Sequence, residues 1–157
     1  MALVRILVDG YSLLHSWRDL AAGKPRHSPA AREALIHLLT LYQDTIGIPI
    51  TIVFDGMGAP PGVQAPVSSG KLEILFSPAG QTADDIIERA AARFKPYGEI
   101  MAVTNDNAER STVLSLDGMF SSCDNFIQTV KDALKEQDRD IASLNQRERQ
   151  RFKNPRP

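Results

Sequence analysis

A chain of 157 residues, 43% hydrophobic and 24% charged, has the size and balance of one soluble globular domain with a substantial buried core. Its net charge of −1, from 18 Lys and Arg against 19 Asp and Glu, excludes a protein that coats nucleic acid by bulk electrostatics, though not one that binds it locally. No apolar run is long enough to cross a bilayer, the first residues lack signal-peptide character, and a single cysteine, Cys123, has no disulfide partner in the chain. No membrane association and a cytoplasmic setting are therefore the expectation.

In chain order, Arg5-Ile6-Leu7-Val8 reads as a central strand, apolar on both faces and ended by Asp9-Gly10. Tyr11 to Trp17 has apolar residues at helical spacing. Ser28 as N-cap and Pro29 at the first helical position start a helix whose stripe is Leu35, Leu38, Leu39, Tyr42 and Ile46, closed by Gly47. Ile50 to Phe54 is a second strand, ended by Asp55-Gly56. Met57 to Gly70, rich in Pro, Gly and Ser, is expected to be a surface loop. Leu72 to Phe76 is a third strand, and a helix follows from Thr82 to about Phe94. Ile100 to Val103 is a fourth strand, followed by a short helix over Ala108 to Leu116 and a short fifth strand at Met119-Phe120. Ser121 and Asp124 have capping-box spacing and open a helix expected to run from about Cys123 to Gln137. Cys123 reads as a small, semi-buried residue. Residues 1–137 thus form one domain, and 138–157 a basic tail, helical or disordered, that carries Arg147, Arg149 and Arg151.

Strands alternating with helices predict an α/β fold: a mainly parallel sheet of about five strands flanked by helices in three layers. Ligands of such sheets collect beyond the carboxyl ends of the strands, and right-handed crossovers bring those ends to one edge. Asp9, Asp55 and Asp106 each follow a strand, while Asp84 and Asp85 open a helix after another. The bland alternative is that Asp84 and Asp85 only start that helix, since Thr82 and Asp85 have capping-box spacing.

Carboxylates forced together repel and raise one another's pKa unless a cation relieves them. An all-oxygen set without a Cys or His cluster suits Mg²⁺ or Mn²⁺, ions that activate water and stabilise the leaving oxygen of a phosphodiester. The chain has no Gly-x-Gly-x-x-Gly after its first strand, no P-loop and no Gly-x-Ser-x-Gly elbow, which disfavours dinucleotide binding, P-loop and serine-hydrolase chemistry. Of its three histidines, His37 reads as structural and His15 as a candidate substrate contact near Asp9; with His27 they form no ligand set.

Leu-Val-Asp-Gly-Tyr-Ser, Val-Phe-Asp-Gly, Phe-Ser-Pro-Ala-Gly-Gln-Thr-Ala-Asp-Asp-Ile-Ile-Glu and Val-Thr-Asn-Asp resemble, in order and spacing, the YacP-like NYN domain family of PIN-like ribonuclease folds. The likeness runs from Val4 to roughly Leu134, and the Thr-Ala-Asp-Asp-x-Ile-Glu stretch is its most specific piece. It implies a PIN-like (Rossmannoid) fold and a Mg²⁺- or Mn²⁺-dependent endoribonuclease. On this resemblance Asp9, Asp84, Asp85 and Asp106 are the metal-binding and catalytic acids, Asp55 is an outer acid or a turn former, and Asn105 orients the loop around Asp106. The family commonly has Asn where this chain has Ser12, a shorter side chain without an amide. Members include an enzyme that cleaves mRNA on the ribosome, so single-stranded RNA or mRNA is the implied substrate and the ribosome an implied partner. Lys24, Arg26, Lys71, Arg147, Arg149 and Arg151 are candidates for RNA backbone contacts, each with the alternative of simple solvation. The rival functions are a non-catalytic RNA- or ribosome-binding module of the same fold, and a metal-dependent phosphatase of small phosphate esters.

Overall fold

The computed structural model describes residues 3–20, 22–25, 28–55, 72–78 and 80–153. The stretch expected as a surface loop from Met57 to Gly70, and the side chains Arg26 and Lys71, lie outside the described residues. The elements are β1 (Leu3–Asp9), α1 (Gly10–Ser16), α2 (Pro29–Ile46), β2 (Ile50–Phe54), β3 (Leu72–Phe76), α3 (Ala83–Phe94), β4 (Glu99–Val103), α4 (Asn107–Ser115), β5 (Met119–Ser121) and α5 (Cys123–Lys153), with a single 3₁₀ turn (Lys95–Tyr97) after α3.

The sheet has five strands in the order β3-β2-β1-β4-β5. Each neighbouring pair is parallel, so the α/β class with a parallel sheet holds. Central β1 is buried on both faces, which is why Ile6-Leu7-Val8 is an unbroken apolar run. Its alternation still sorts the core. Ile6 and Val8 point into one layer with Ile50, Ile52, Phe54 and side chains of α1, α2 and α5. Leu7 points the other way, with Val53, Ala102 and the side chains of α3 and α4. The chain lays down β2 and β3 on one side of β1, then returns through α3 to place β4 on the other side. The strand order therefore reverses between β1 and β4, and the carboxyl ends of those strands frame the crevice where ligands bind in such sheets.

Local chemistry sets the helix ends. Ser28 Oγ accepts from Ala31 N at 3.2 Å with Pro29 in the first turn, and Gly47 closes α2 in the left-handed region at φ 74°. The α5 cap differs from the sequence expectation by one residue: Asn125 N donates to Ser122 Oγ at 3.2 Å, while the Ser121 hydroxyl donates to the Ser122 carbonyl oxygen. Ser121 is still held in β5, paired with Val103, so it is not free to cap. Helix α5 also continues past Gln137 to Lys153 as one helix of 31 residues.

Gly10 is where the carboxyl end of β1 turns into α1. It is buried, and a Cβ there would overlap the Phe54 ring, which is packed between Tyr11 (centroids 5.1 Å apart) and Phe76 (5.5 Å). Overfilling such a contact costs about 1–3 kcal/mol. Gly10→Ala is therefore expected to lower the unfolding free energy by about that amount in a urea titration; a neutral substitution would show that the ring moves aside freely.

Candidate functional site

Asp9, Asp84 and Glu109 each present a carboxylate oxygen within 4.8 Å of the others. Asp9 ends β1, Asp84 sits in the first turn of α3, and Glu109 in the first turn of α4. The cluster lies where the strand order reverses, with two helix N-termini opening onto it. Their partial positive charges favour carboxylates there.

Asp9 serves as N-cap of α1. One of its oxygens accepts from Ser12 N at 3.3 Å and the other from Ser12 Oγ at 3.1 Å. Burial pushes its carboxyl pKa up; the two Ser12 hydrogen bonds pull it down, and the charges of Asp84 and Asp106 raise it again. Ser12 thus fixes the orientation of this acid with both its backbone and its hydroxyl.

The two neighbouring aspartates of α3 separate by their place on the helix. Asp85 turns back to complete a capping box: it accepts from Thr82 N at 3.0 Å, while Thr82 Oγ1 accepts from Asp85 N at 3.3 Å. Asp84, one residue earlier, is half-buried and faces Asp9 and Glu109. The capping-box reading of this pair holds for Asp85, while Asp84 joins the three-acid group.

Glu109 is the member that the sequence reading passed over. It is 3% exposed, and among the described residues neither carboxylate oxygen has a hydrogen-bond partner of good geometry. Burial first, then the facing Asp84 carboxyl, and then the Asp9 charge push its pKa up to about 9, with Thr104 acting in the opposite direction. Its spacing from Asp106 is that of a capping box, and that reading conceals it. The signal in the sequence is its phase: Glu109 and Val113 are one turn apart and are the two buried residues of α4, so a carboxylate stands on the core-facing stripe.

The remaining expected residues surround this cluster. Asp106 is exposed and caps α4, its carboxylate accepting from Ala108 N at 2.7 Å. It stands outside the three-acid group yet acts on Asp9 through its charge. Asn105 is a tie: its amide donates to Ser16 Oγ at 2.9 Å, and its carbonyl oxygen accepts from Cys123 N at 3.0 Å, joining the end of α1 to the start of α5. Asp55 is half-buried just after β2 and outside the group. Lys24 is exposed beside a hollow also lined by Trp17 and Arg18. Arg147, Arg149 and Arg151 are exposed on α5. Cys123 is fully buried, and burial followed by the Asp9 charge lifts its thiol to about 12, so it is not a nucleophile.

Between α3 and α4 a cleft of about 240 Å³ reaches this group, lined by Thr82, Asp84, Asp85, Glu88, Glu109 and Thr112 among others. A buried carboxylate with unmet oxygens, beside two further carboxylates at the mouth of an open cleft, is a fit site for a hard divalent cation.

A family model, the YacP-like NYN domain, matches residues 6–156. The chain belongs to the YacP-like NYN domain family. Membership places it among PIN-like nuclease domains and supports a nuclease-type, RNA-related role. The protein YacP of Bacillus subtilis (strain 168) is 26% identical over 127 residues, 80% of this chain and 74% of that protein. The crystal structure of Rae1 (YacP) from Bacillus subtilis superposes with a TM-score of 0.79 at 23% identity, covering 97% of this chain and 87% of that one. A substituted form of the same protein gives 0.78 at 23% identity, covering 92% and 85%. At that identity the structures establish the shared NYN fold.

The pKa of Glu109 gives a pH test. Its folded value near 9 lies above the ordinary 4.5, so the unfolded chain gives up this proton first. The stability it contributes is fully present below pH 4.5 and is lost as pH rises towards about 9. Chelator-treated protein is expected to unfold at progressively lower urea across that window, and Glu109→Gln to flatten the trend. An unchanged slope in the variant would place the titrating group elsewhere.

Proposed function

We propose that this NYN domain is a metal-dependent endoribonuclease, with Asp9, Asp84 and Glu109 holding Mg²⁺ or Mn²⁺ and single-stranded RNA or mRNA as substrate. The observation that carries it is the convergence of three carboxylates within 4.8 Å, one of them buried with both oxygens unmet. The cation supplies activation of water and stabilisation of charge at the phosphodiester.

The chain's own residues do the positioning. Ser12 locks Asp9 through two hydrogen bonds, so the serine found where the family commonly has asparagine has a defined task here. The Thr82–Asp85 capping box fixes the first turn of α3 and with it Asp84. Asn105 ties α1 to α5 beside the site. Asp85 and Asp106 stand outside the three-acid group, where they would act on a bound cation by their charge. Asp55 is an outer acid of the same sheet edge. Residues 1–137 carry the site, and 138–157 form an appended basic arm. The ribosome as partner and the cytoplasm as location rest on the family resemblance.

The test is cleavage of a labelled single-stranded RNA with Mn²⁺. Asp84→Asn and Glu109→Gln are expected to lose at least about 100-fold in rate, beyond the range seen for outer-shell changes. Asp106→Asn keeps an equally good cap, so it should lose only about 10-fold, through its charge. Asp85→Asn should keep most activity while losing about 1 kcal/mol of stability from its half of the capping box. RNA binding that survives loss of the acids, without cleavage by wild type, would select the binding module. Hydrolysis of a phosphomonoester but not of RNA would select the phosphatase.

A further inference from the structure

Charge is divided unevenly along the chain. Before residue 138 twelve Lys and Arg stand against sixteen Asp and Glu, and from Asp138 onward six stand against three. The body that holds the acid cluster is therefore net negative and repels an RNA backbone, whereas the distal part of α5 attracts it.

From Asp138 to Arg151 the described side chains of α5 have no packing task. Gln137 accepts a hydrogen bond from Thr45 at 2.8 Å, and beyond it every described side chain from Asp138 to Arg151 is exposed. Ile141 and Leu144 are 50% and 58% exposed. A helix that is polar nearly all round gains nothing from a core. Its charges are also arranged against its own stability. Arg147 and Arg151 are four residues apart, and like charges at that spacing are unfavourable. The helix dipole favours cations in the last turn, which does not account for Arg147. Only Arg151 has a described ion pair, with Glu148 at 3.7 Å and largely in water. A polyanion beside the helix relieves this repulsion.

Length turns charge into geometry. Helix α5 starts at Cys123, next to the Asp9 site, and at 1.5 Å per residue Arg147 lies about 36 Å along it. That is roughly ten phosphate spacings of one strand in a stacked helix. We infer that the distal half of α5 is a remote RNA anchor: Arg147 and Arg151, one turn apart on one face, grip the backbone of a long or folded RNA whose other part lies at the acid cluster, and Arg149 adds its charge from the other side of the helix. This rests on the RNA-directed reading of that cluster. It makes length and fold of the RNA a determinant of affinity that the catalytic cleft does not supply.

The experiment measures binding of two labelled RNAs, a pentanucleotide and a folded transcript several times longer than α5, to wild type and to the triple variant Arg147→Gln/Arg149→Gln/Arg151→Gln. Glutamine keeps helix propensity, and circular dichroism checks that α5 is intact. With EDTA present to prevent turnover, the long RNA is expected to lose about tenfold in affinity, and its log–log salt slope to fall by about 2. The pentanucleotide, too short to span the gap, serves as the reference. Equal losses on both RNAs, or none on the long one, would overturn the anchor. So would a dimer that dissociates in an Ile141→Gln/Leu144→Gln variant while RNA affinity ignores the arginines, for the helix would then dock a second copy. Failure of wild type to cleave either RNA with Mn²⁺ would count against the nuclease reading and leave this binding comparison decisive.

Discussion

Like charge held at short range is the constraint on which the rest of this structure turns. Two carboxylates 4.8 Å apart repel by about 3–4 kcal/mol at an effective dielectric of 20, and three such pairs share one site here. Among the described residues no lysine or arginine acts on Asp9 or Glu109 to relieve this. In the metal-free state burial and the neighbouring acids push the Glu109 pKa up to about 9, so a proton on Glu109 relieves the repulsion; the Asp9 pKa is raised as well, by burial first. The protein also aims the N-termini of α3 and α4 at the cluster. Both devices leave the carboxylate oxygens open to a cation, and a permanent internal ion pair would close them.

The fold makes this arrangement by placing three different kinds of local structure at one point. A strand end supplies Asp9, and two helix first turns supply Asp84 and Glu109. They meet because β1 is central and the chain crosses from β3 to β4 over it, so the crevice opens where the order reverses. The surrounding caps work twice. Thr82 with Asp85, and Asp9 with Ser12, satisfy backbone donors that every helix must satisfy, and in doing so they fix which carboxylates face the crevice.

Periodicity was enough to read the architecture: Ile6-Leu7-Val8 as a two-sided buried strand, Ser28-Pro29 as a helix start, and the alternation that predicts a parallel sheet. The ends of α5 were less legible. Ser121 and Ser122 offer nearly the same capping chemistry, and only the pairing of Ser121 in β5 decides between them. Nor does anything in the hydrophobic pattern after Gln137 call for a helix, because the described side chains from Asp138 to Arg151 are all exposed. In the site, aspartates after strands are visible as punctuation, so Asp9 and Asp84 stood out. Glu109 did not, because an acid three residues after Asp106 looks like a capping partner. Its phase with Val113 marks it as core-facing, and the tertiary structure shows that it faces Asp84 and Asp9.

The most direct measurement is diffraction from crystals soaked in Mn²⁺, recorded for the anomalous signal of the metal. One strong peak is expected within bonding distance of Asp9, Asp84 and Glu109, with Asp85 still folded back on Thr82. A peak held by Asp85 and Asp106 instead, or no peak in crystals that keep the three-acid geometry, would contradict it.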